Sequence, residues 1–298
     1  MQTWRRPFHR GTPLAPLTIS AGVDNAAGFD SMFPGDGAIR AVQPVSRGIA
    51  LSAVAIIPAR YASSRFPGKP LLNRTGKYLI QHVYERVRKA QTIDRVIVAT
   101  DDDRILRAVL DFGGEAVMTR ADHATGTDRI AEVARGLATD LVVNVQGDEP
   151  EIEPDSIDLL VRLMERRLEA AMGTLACPFP PDGDPQSPNA VKVVTDRQGT
   201  ALYFSRSLIP YPRDAGGVAD PAGDWLLHVG IYAYRRDFLL RYATLAPSRL
   251  EEAEKLEQLR ALENGCRIVV GLIDHAGVGI DTPEDYEAFC RRIGGAGG

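Results

Sequence analysis

Arg60, Ser63, Ser64, Arg65, Gly68 and Lys69 fall within ten residues, directly after the apolar run 54–57 and Pro58-Ala59. An apolar run of that length reads as a buried strand, with Pro58 expected to end it. A strand feeding such a loop aims backbone N–H groups and cations at one spot beyond the sheet. That is how an α/β sheet holds a polyphosphate. The loop is not a Walker A loop, because Gly68-Lys69 is followed by Pro70 rather than Ser or Thr, and it contains no GxGxxG. A basic surface loop is the plainer alternative, but three cations packed beside Gly and Ser point to an anion.

Carboxylates stand at two other places suited to the same ligand. Residues 141–145, Leu-Val-Val-Asn-Val, form a nearly continuous apolar run, the mark of a central strand, and lead into Gln146-Gly147-Asp148-Glu149-Pro150. An acid just past the carboxyl end of a parallel strand lies in the crevice where such sheets bind ligands. A hard oxygen donor there suits Mg²⁺ bridging phosphates, although a turn or helix cap before Pro154 is the simpler use of Asp148. Asp281 stands before Thr282-Pro283-Glu284-Asp285, a strong helix start, where it can also serve only as the preceding turn. If Asp148 and Asp281 converge, they supply two carboxylates for a magnesium–triphosphate complex. The triple Asp101-Asp102-Asp103 is mostly explained by helix capping at Asp102, leaving Asp101 for a ligand contact. Residues 119–129 place Arg120 and Thr125 before a helix, where hydroxyls and a cation suit a phosphate or a base edge, although plain capping of that helix explains half of the pattern.

Strand and helix must alternate to position these groups. Helical stripes at Leu79, Ile80, Val83 and Val87, at Ile105, Leu106, Val109 and Leu110, and at Ile130, Val133 and Leu137 separate strands at 95–99, 116–118 and 141–145. The expected fold is therefore α/β, a Rossmann-like, mostly parallel sheet flanked by helices. The second half changes character. A helix over 155–168 and a strand over 171–176 precede a hairpin, 191–195 and 200–204, around Asp196-Arg197-Gln198-Gly199. A Pro/Gly-rich loop, 207–224, follows. In the strand 228–235, His228, Gly230, Tyr232 and Tyr234 alternate with Val229, Ile231 and Ala233, giving a polar row. A lone strand His is usually structural, but with Tyr232 on the same face it suits a hydroxylated ligand. Ser248 to Glu251 is a capping box, and Asn264-Gly265 closes the helix it starts. Glu257 and Gln258 flank that helix's leucine stripe. A strand over 267–273 comes next.

The net charge of −4 argues against a nucleic-acid partner without excluding a local basic pocket. Cys177, Cys266 and Cys290 are odd in number and widely spaced, which indicates a reducing compartment and no metal-ligand pattern. No apolar run is long enough to cross a membrane. Residues 1–50, rich in Gly and Pro with Arg5, Arg6 and Arg10 ahead of the first acid, read as a poorly ordered extension. Residues 51–298 read as a single domain, with a nucleotide-binding part at about 54–150 and a second part at about 151–275.

Several motifs together resemble the sugar-activating cytidylyltransferases, and within them the branch that takes 3-deoxy-manno-octulosonate (Kdo). They are the loop from Arg60 to Lys69, Gln146 to Pro150, Asn189 to Val194, Tyr203 to Arg206, His228 to Tyr234, Leu256 to Arg260 and Gly279 to Asp285. The resemblance runs from about residue 54 to 293. It implies CTP bound by Pro58, Ala59, Arg60, Arg65, Lys69, Arg120, Thr125, Gln146 and Asp148. It implies an acidic sugar held by Arg206, His228, Tyr232, Glu257 and Gln258, and Mg²⁺ held by Asp148 and Asp281. Arg60, Lys69, Asp148 and Asp281 would carry catalysis, with transfer of CMP to the sugar and release of pyrophosphate, for lipopolysaccharide synthesis in the cytoplasm. A homodimer is a further implication, and the second part would carry both the sugar site and the dimer contact. The rivals are transfer to 8-amino-Kdo or sialic acid, and a nucleotide-binding module without catalysis.

Overall fold

The computed structural model describes residues 51–62, 66–217, 223 and 225–295. The expected extension at 1–50 and part of the 207–224 loop lie outside them. The described strands form one sheet in the order β3 (Ala116–Met118), β2 (Arg95–Thr100), β1 (Ala53–Ala59), β4 (Leu141–Asn144), β8 (Leu226–Arg235), β5 (Met172–Pro178), β9 (Ile268–Leu272). β1 to β4 are mutually parallel, and β5 is parallel to β9. β8 is antiparallel to both β4 and β5. The hairpin β6 (Lys192–Thr195) and β7 (Ala201–Ser205) attaches through β6 to β8. The antiparallel element is thus more than a hairpin on one side, because β8 sits in the middle of the sheet.

The period of two along β1 divides the core. Ala53, Ala55, Ile57 and Ala59 face α1 (Leu79–Val87), α2 (Asp103–Asp111) and α4 (Pro154–Arg166), while Val54 and Ile56 face α3 (Gly126–Ala134) and α5 (Arg236–Tyr242). Leu110, expected on an apolar face, is 54% exposed, and Leu168, the end of the expected helix 155–168, is 70% exposed. α2 buries Ala108 with Ile105 and Val109 instead, and α4 ends at Arg166.

Two further expectations change. Pro58 does not end β1, which pairs with β2 as far as Ala59. Ile56 accepts from Val145 on the β4 side, so Pro58, two residues on, also turns its nitrogen that way. The β4 ladder has already stopped opposite Ile56, so no bond is lost for want of an N–H. The helix expected from the capping box to Asn264 is two: α6 (Arg249–Glu254) and α7 (Gln258–Glu263), broken at Lys255 in a left-handed conformation, φ 53°. Across the break, Arg260 Nε donates to Glu251 Oε2 at 2.7 Å, and both side chains are nearly buried. Finally, α8 (Pro283–Gly295) packs Tyr286 and Phe289 on Leu79, which brings residues 280–282 back to the carboxyl end of the sheet.

Arg260→Met alone should leave the Glu251 carboxylate buried without its partner and cost about 3–5 kcal/mol. Adding Glu251→Leu should recover most of that loss, read from urea unfolding of both variants.

Candidate active site

The first cleft lies beyond the carboxyl ends of β1 and β4. Pro58, Ala59, Arg60, Lys69, Thr125, Gln146, Asp148 and Asp281 line it, eight of the residues expected to bind nucleotide or metal. Its walls hold together through exact short contacts. Lys69 Nζ donates to Asp148 Oδ2 at 2.7 Å and to the carbonyl of Ile280 at 2.7 Å, and lies 3.7 Å from Asp281 Oδ1. The Ile280 N–H bonds the Asp148 carbonyl at 2.9 Å. The two aspartates do converge, around one ammonium. Arg60 donates to the carbonyl of His123 at 2.6 Å, tying its loop to the segment before α3. Thr125 caps α3 in a reciprocal box with Asp128, which leaves the helix N-terminus turned towards the cleft. Gly147 is required by close approach, since a Cβ there would lie 2.9 Å from the Pro58 carbonyl oxygen.

A second cleft of about 230 Å³ adjoins the first; both are lined by Gly126 and Gln146. Its wall includes His228, Tyr232, Glu257 and Gln258, four of the five residues expected to hold the sugar. The break at Lys255 starts α7 afresh and sets Glu257 and Gln258 at its first turn. Thr127 Oγ1 donates to Glu257 Oε2 at 2.7 Å, and burial pushes the Glu257 carboxyl up. His228 is enclosed by Phe204, Tyr232 and the Thr174 hydroxyl, and desolvation pushes its imidazole down to about 3. It is therefore a neutral hydrogen-bonding group at ordinary pH.

Three expected residues are placed elsewhere. Arg120 is exposed, ion-paired with Asp122 at 3.2 Å, and lines neither cleft. Arg206 spends its guanidinium on the carbonyls of Pro188, Glu254 and Lys255, so it braces the α6–α7 break instead of lining the second cleft. Arg65 lies outside the described residues. Asp101, read as available to a ligand, pairs at 2.8 Å with the wholly buried Arg129. Six residues lining the second cleft were not expected to bind a ligand: Gly126, Thr127, Asn144, Tyr234, Lys255 and Leu256. Asn144 had left a signal, as the single polar residue in the run 141–145.

Among the described residues, no group of three or more His, Cys, Asp or Glu is placed to hold a metal, and no helix is long and apolar enough to cross a membrane. Asp148 and Asp281 still fit Mg²⁺. Two carboxylates from separate elements already share one cation, and Mg²⁺ is commonly held by one or two carboxylates with phosphate oxygens and water completing its shell.

An anion cleft with paired carboxylates, joined at the carboxyl edge of the sheet to a second polar cleft, defines a nucleotidyltransferase-type α/β protein. The family described as "Cytidylyltransferase" matches residues 54–268. A 3-deoxy-manno-octulosonate cytidylyltransferase of Syntrophotalea carbinolica is 56% identical over 250 residues, 82% of this chain and 100% of that one. The enzyme of the same name from Geobacter sulfurreducens is 52% identical over 249 residues, again 82% and 100%. A solved CMP:2-keto-3-deoxy-manno-octonic acid synthetase complexed with CTP superposes with a TM-score of 0.77 at 45% identity, covering 82% of this chain and 99% of that one. A 4-diphosphocytidyl-2C-methyl-D-erythritol synthase from Anaerococcus prevotii shares the fold alone, at 14% identity and a TM-score of 0.54 over 83% of this chain and 100% of that one. The chain belongs to the cytidylyltransferase family.

His228 sets a pH dependence of stability. Its folded pKa lies below the unfolded value of 6.5, so the unfolded chain binds the extra proton between about 3 and 6.5. This contribution is constant above that window and falls as pH drops through it, by at most ~1.4 kcal/mol per pH unit. Urea unfolding of His228→Gln should show a shallower loss on acidification than the wild type.

Proposed function

We propose that this chain transfers the cytidylyl group of CTP to the anomeric hydroxyl of Kdo, giving CMP-Kdo and pyrophosphate. The observation that carries the reading is the contiguity of the two clefts. They meet at Gly126 and Gln146, so a nucleotide in one presents its α-phosphate to a sugar in the other. The relatives that this chain matches over their whole length bear the corresponding name.

The sugar oxygen attacks the α-phosphorus in line. An O–P bond forms, the bond to the bridging oxygen of pyrophosphate breaks and leaves its electron pair on pyrophosphate, and the hydroxyl proton passes to solvent. No covalent bond to the protein is needed, so positioning and charge neutralisation do the catalytic work. Arg60 and Lys69 bring positive charge to the triphosphate and to the leaving pyrophosphate, and the α3 N-terminus adds its dipole. Asp148 and Asp281 would hold Mg²⁺, which when bound supplies a Lewis acid and neutralises phosphate charge. Glu257, Gln258, Tyr232 and neutral His228 hold the sugar's hydroxyls and exclude water from beneath it. Arg206 acts one step back, through the Lys255 and Glu254 carbonyls. Arg65 and Arg120 belong to the CTP site on the resemblance alone. So do the homodimer, the cytoplasmic location and the role in lipopolysaccharide synthesis.

Pyrophosphate release from CTP should be rapid with Kdo and slow with 8-amino-Kdo and sialic acid, and should require Mg²⁺. Asp148→Ala and Asp281→Ala should each lower kcat on the order of 100-fold or more while circular dichroism stays that of the wild type. Release with another of the three sugars instead would keep the chemistry and change the acceptor. CTP binding without release from any of them would favour a nucleotide-binding module.

A further inference from the structure

Asn144 is out of place by the ordinary rules of a central strand. It ends β4 among Leu141, Val142, Val143 and Val145, all fully buried, and is itself only 3% exposed. Its Oδ1 is buried and has no hydrogen-bond partner. A buried acceptor left unsatisfied is a substantial penalty, and an apolar residue of the same shape would avoid it. Gln258, 4% exposed, leaves its Nε2 in the same condition. The remaining buried orphan among the described residues, Arg129 Nε, lines neither cleft, whereas Asn144 and Gln258 both line the second. Two side-chain amides with unmet hydrogen-bonding capacity therefore line one cleft, a lining suited to a polyhydroxylated molecule.

The strand also fixes where along that molecule Asn144 acts. Val143 and Val145 lie in the core beneath α1 and α4, so Asn144 and Gln146 turn to the other side. Asn144 lines only the second cleft, Gln146 lines both, and Asp148 lines only the first. Same-face neighbours on an extended strand stand about 6.6–6.8 Å apart. Asn144 is thus displaced from the junction, on the side away from the carboxylates.

We propose that Asn144 is a specificity-determining residue of the acceptor cleft. Its side-chain amide hydrogen-bonds a sugar hydroxyl remote from the one that reacts, beside the Gln258 amide that the resemblance already assigns to the sugar. The assignment rests on the transfer reading above and adds a contact that neither the motifs nor the relatives' names supply. A site built around a substrate hydroxyl discriminates against analogues lacking it, because the protein's own buried group then goes unpaired.

The test compares wild type with Asn144→Leu, nearly isosteric and apolar, using CTP with Kdo and with monodeoxy Kdo analogues each lacking one exocyclic hydroxyl. The KM for Kdo should rise about tenfold or more in the variant, while the Kd for CTP and the Tm stay close to wild type. For one analogue, itself a poor substrate of the wild type, the variant's penalty should disappear. An unchanged KM for Kdo overturns the assignment, as does an equal penalty with every analogue. If Asn144→Leu does not fold, the side-chain amide resonance of Asn144 in ¹⁵N-labelled wild type decides. It should shift when Kdo joins CTP in the absence of Mg²⁺ and stay put with CTP alone; no shift with Kdo overturns the assignment. A wild type that binds CTP but releases no pyrophosphate with Kdo refutes the transfer reading, and the assignment falls with it. An active wild type beside an indifferent Asn144→Leu refutes the assignment only.

Discussion

The Lys69 ammonium is the contact on which the arrangement of the site depends. Its three oxygen neighbours come from residues 148, 280 and 281, so one cation joins the loop after β1, the end of β4 and the approach to α8. Opposite charges separated by less than 4 Å attract strongly where solvent is partly excluded, and Lys69 keeps only 12% of its side chain exposed. The two aspartates would repel each other without it. Lys69 therefore holds a pair of like charges together in advance of any ligand, and the neighbouring backbone bond from Ile280 to Asp148 fixes their registry.

From that knot the chemistry spreads along a single strand end. Asp148, Gln146 and Asn144 lead from the first cleft through the junction into the second. The other wall of the second cleft comes from β8 and the α6–α7 break. The polar groups near that wall are neutral or paired: His228 is kept neutral by desolvation, Glu251 is held by Arg260, and Arg206 by three carbonyls. Walls tied in this way suit a reaction whose catalysis is positioning.

Much of this was legible in the sequence, because local rules decided it. The stripe of α1, the caps of α2, α3 and α6, and the hairpin β6–β7 follow from residue types a few positions apart. The misreadings arose where a distant neighbour decided the outcome. Whether Pro58 ends a strand depends on where β4 stops, and β4 is more than eighty residues away. The α6–α7 break depends on Lys255 taking a conformation that its side chain does not favour, with its carbonyl held by Arg206. Where the guanidinium groups of Arg120 and Arg206 lie was not legible either, since residue types do not tell which side of a loop a side chain takes. Asn144 was hidden by its company, since an apolar run reads as core whatever single polar residue it contains.

The antiparallel strand at the centre of the sheet has a consequence for synthesis on the ribosome. β1 to β4 can pair as soon as they emerge, but Leu141 must wait for Arg235 and Asn144 for Tyr232. Until then β4 is a bare edge, short and apolar, of the sort that recruits strands from other chains. The strands β1 to β4 are all translated by residue 144, yet their part of the sheet cannot be complete in structure. Its last hydrogen bonds belong to a segment translated after the whole of β5, β6 and β7, so the nascent chain stays open at its middle until the final quarter is made.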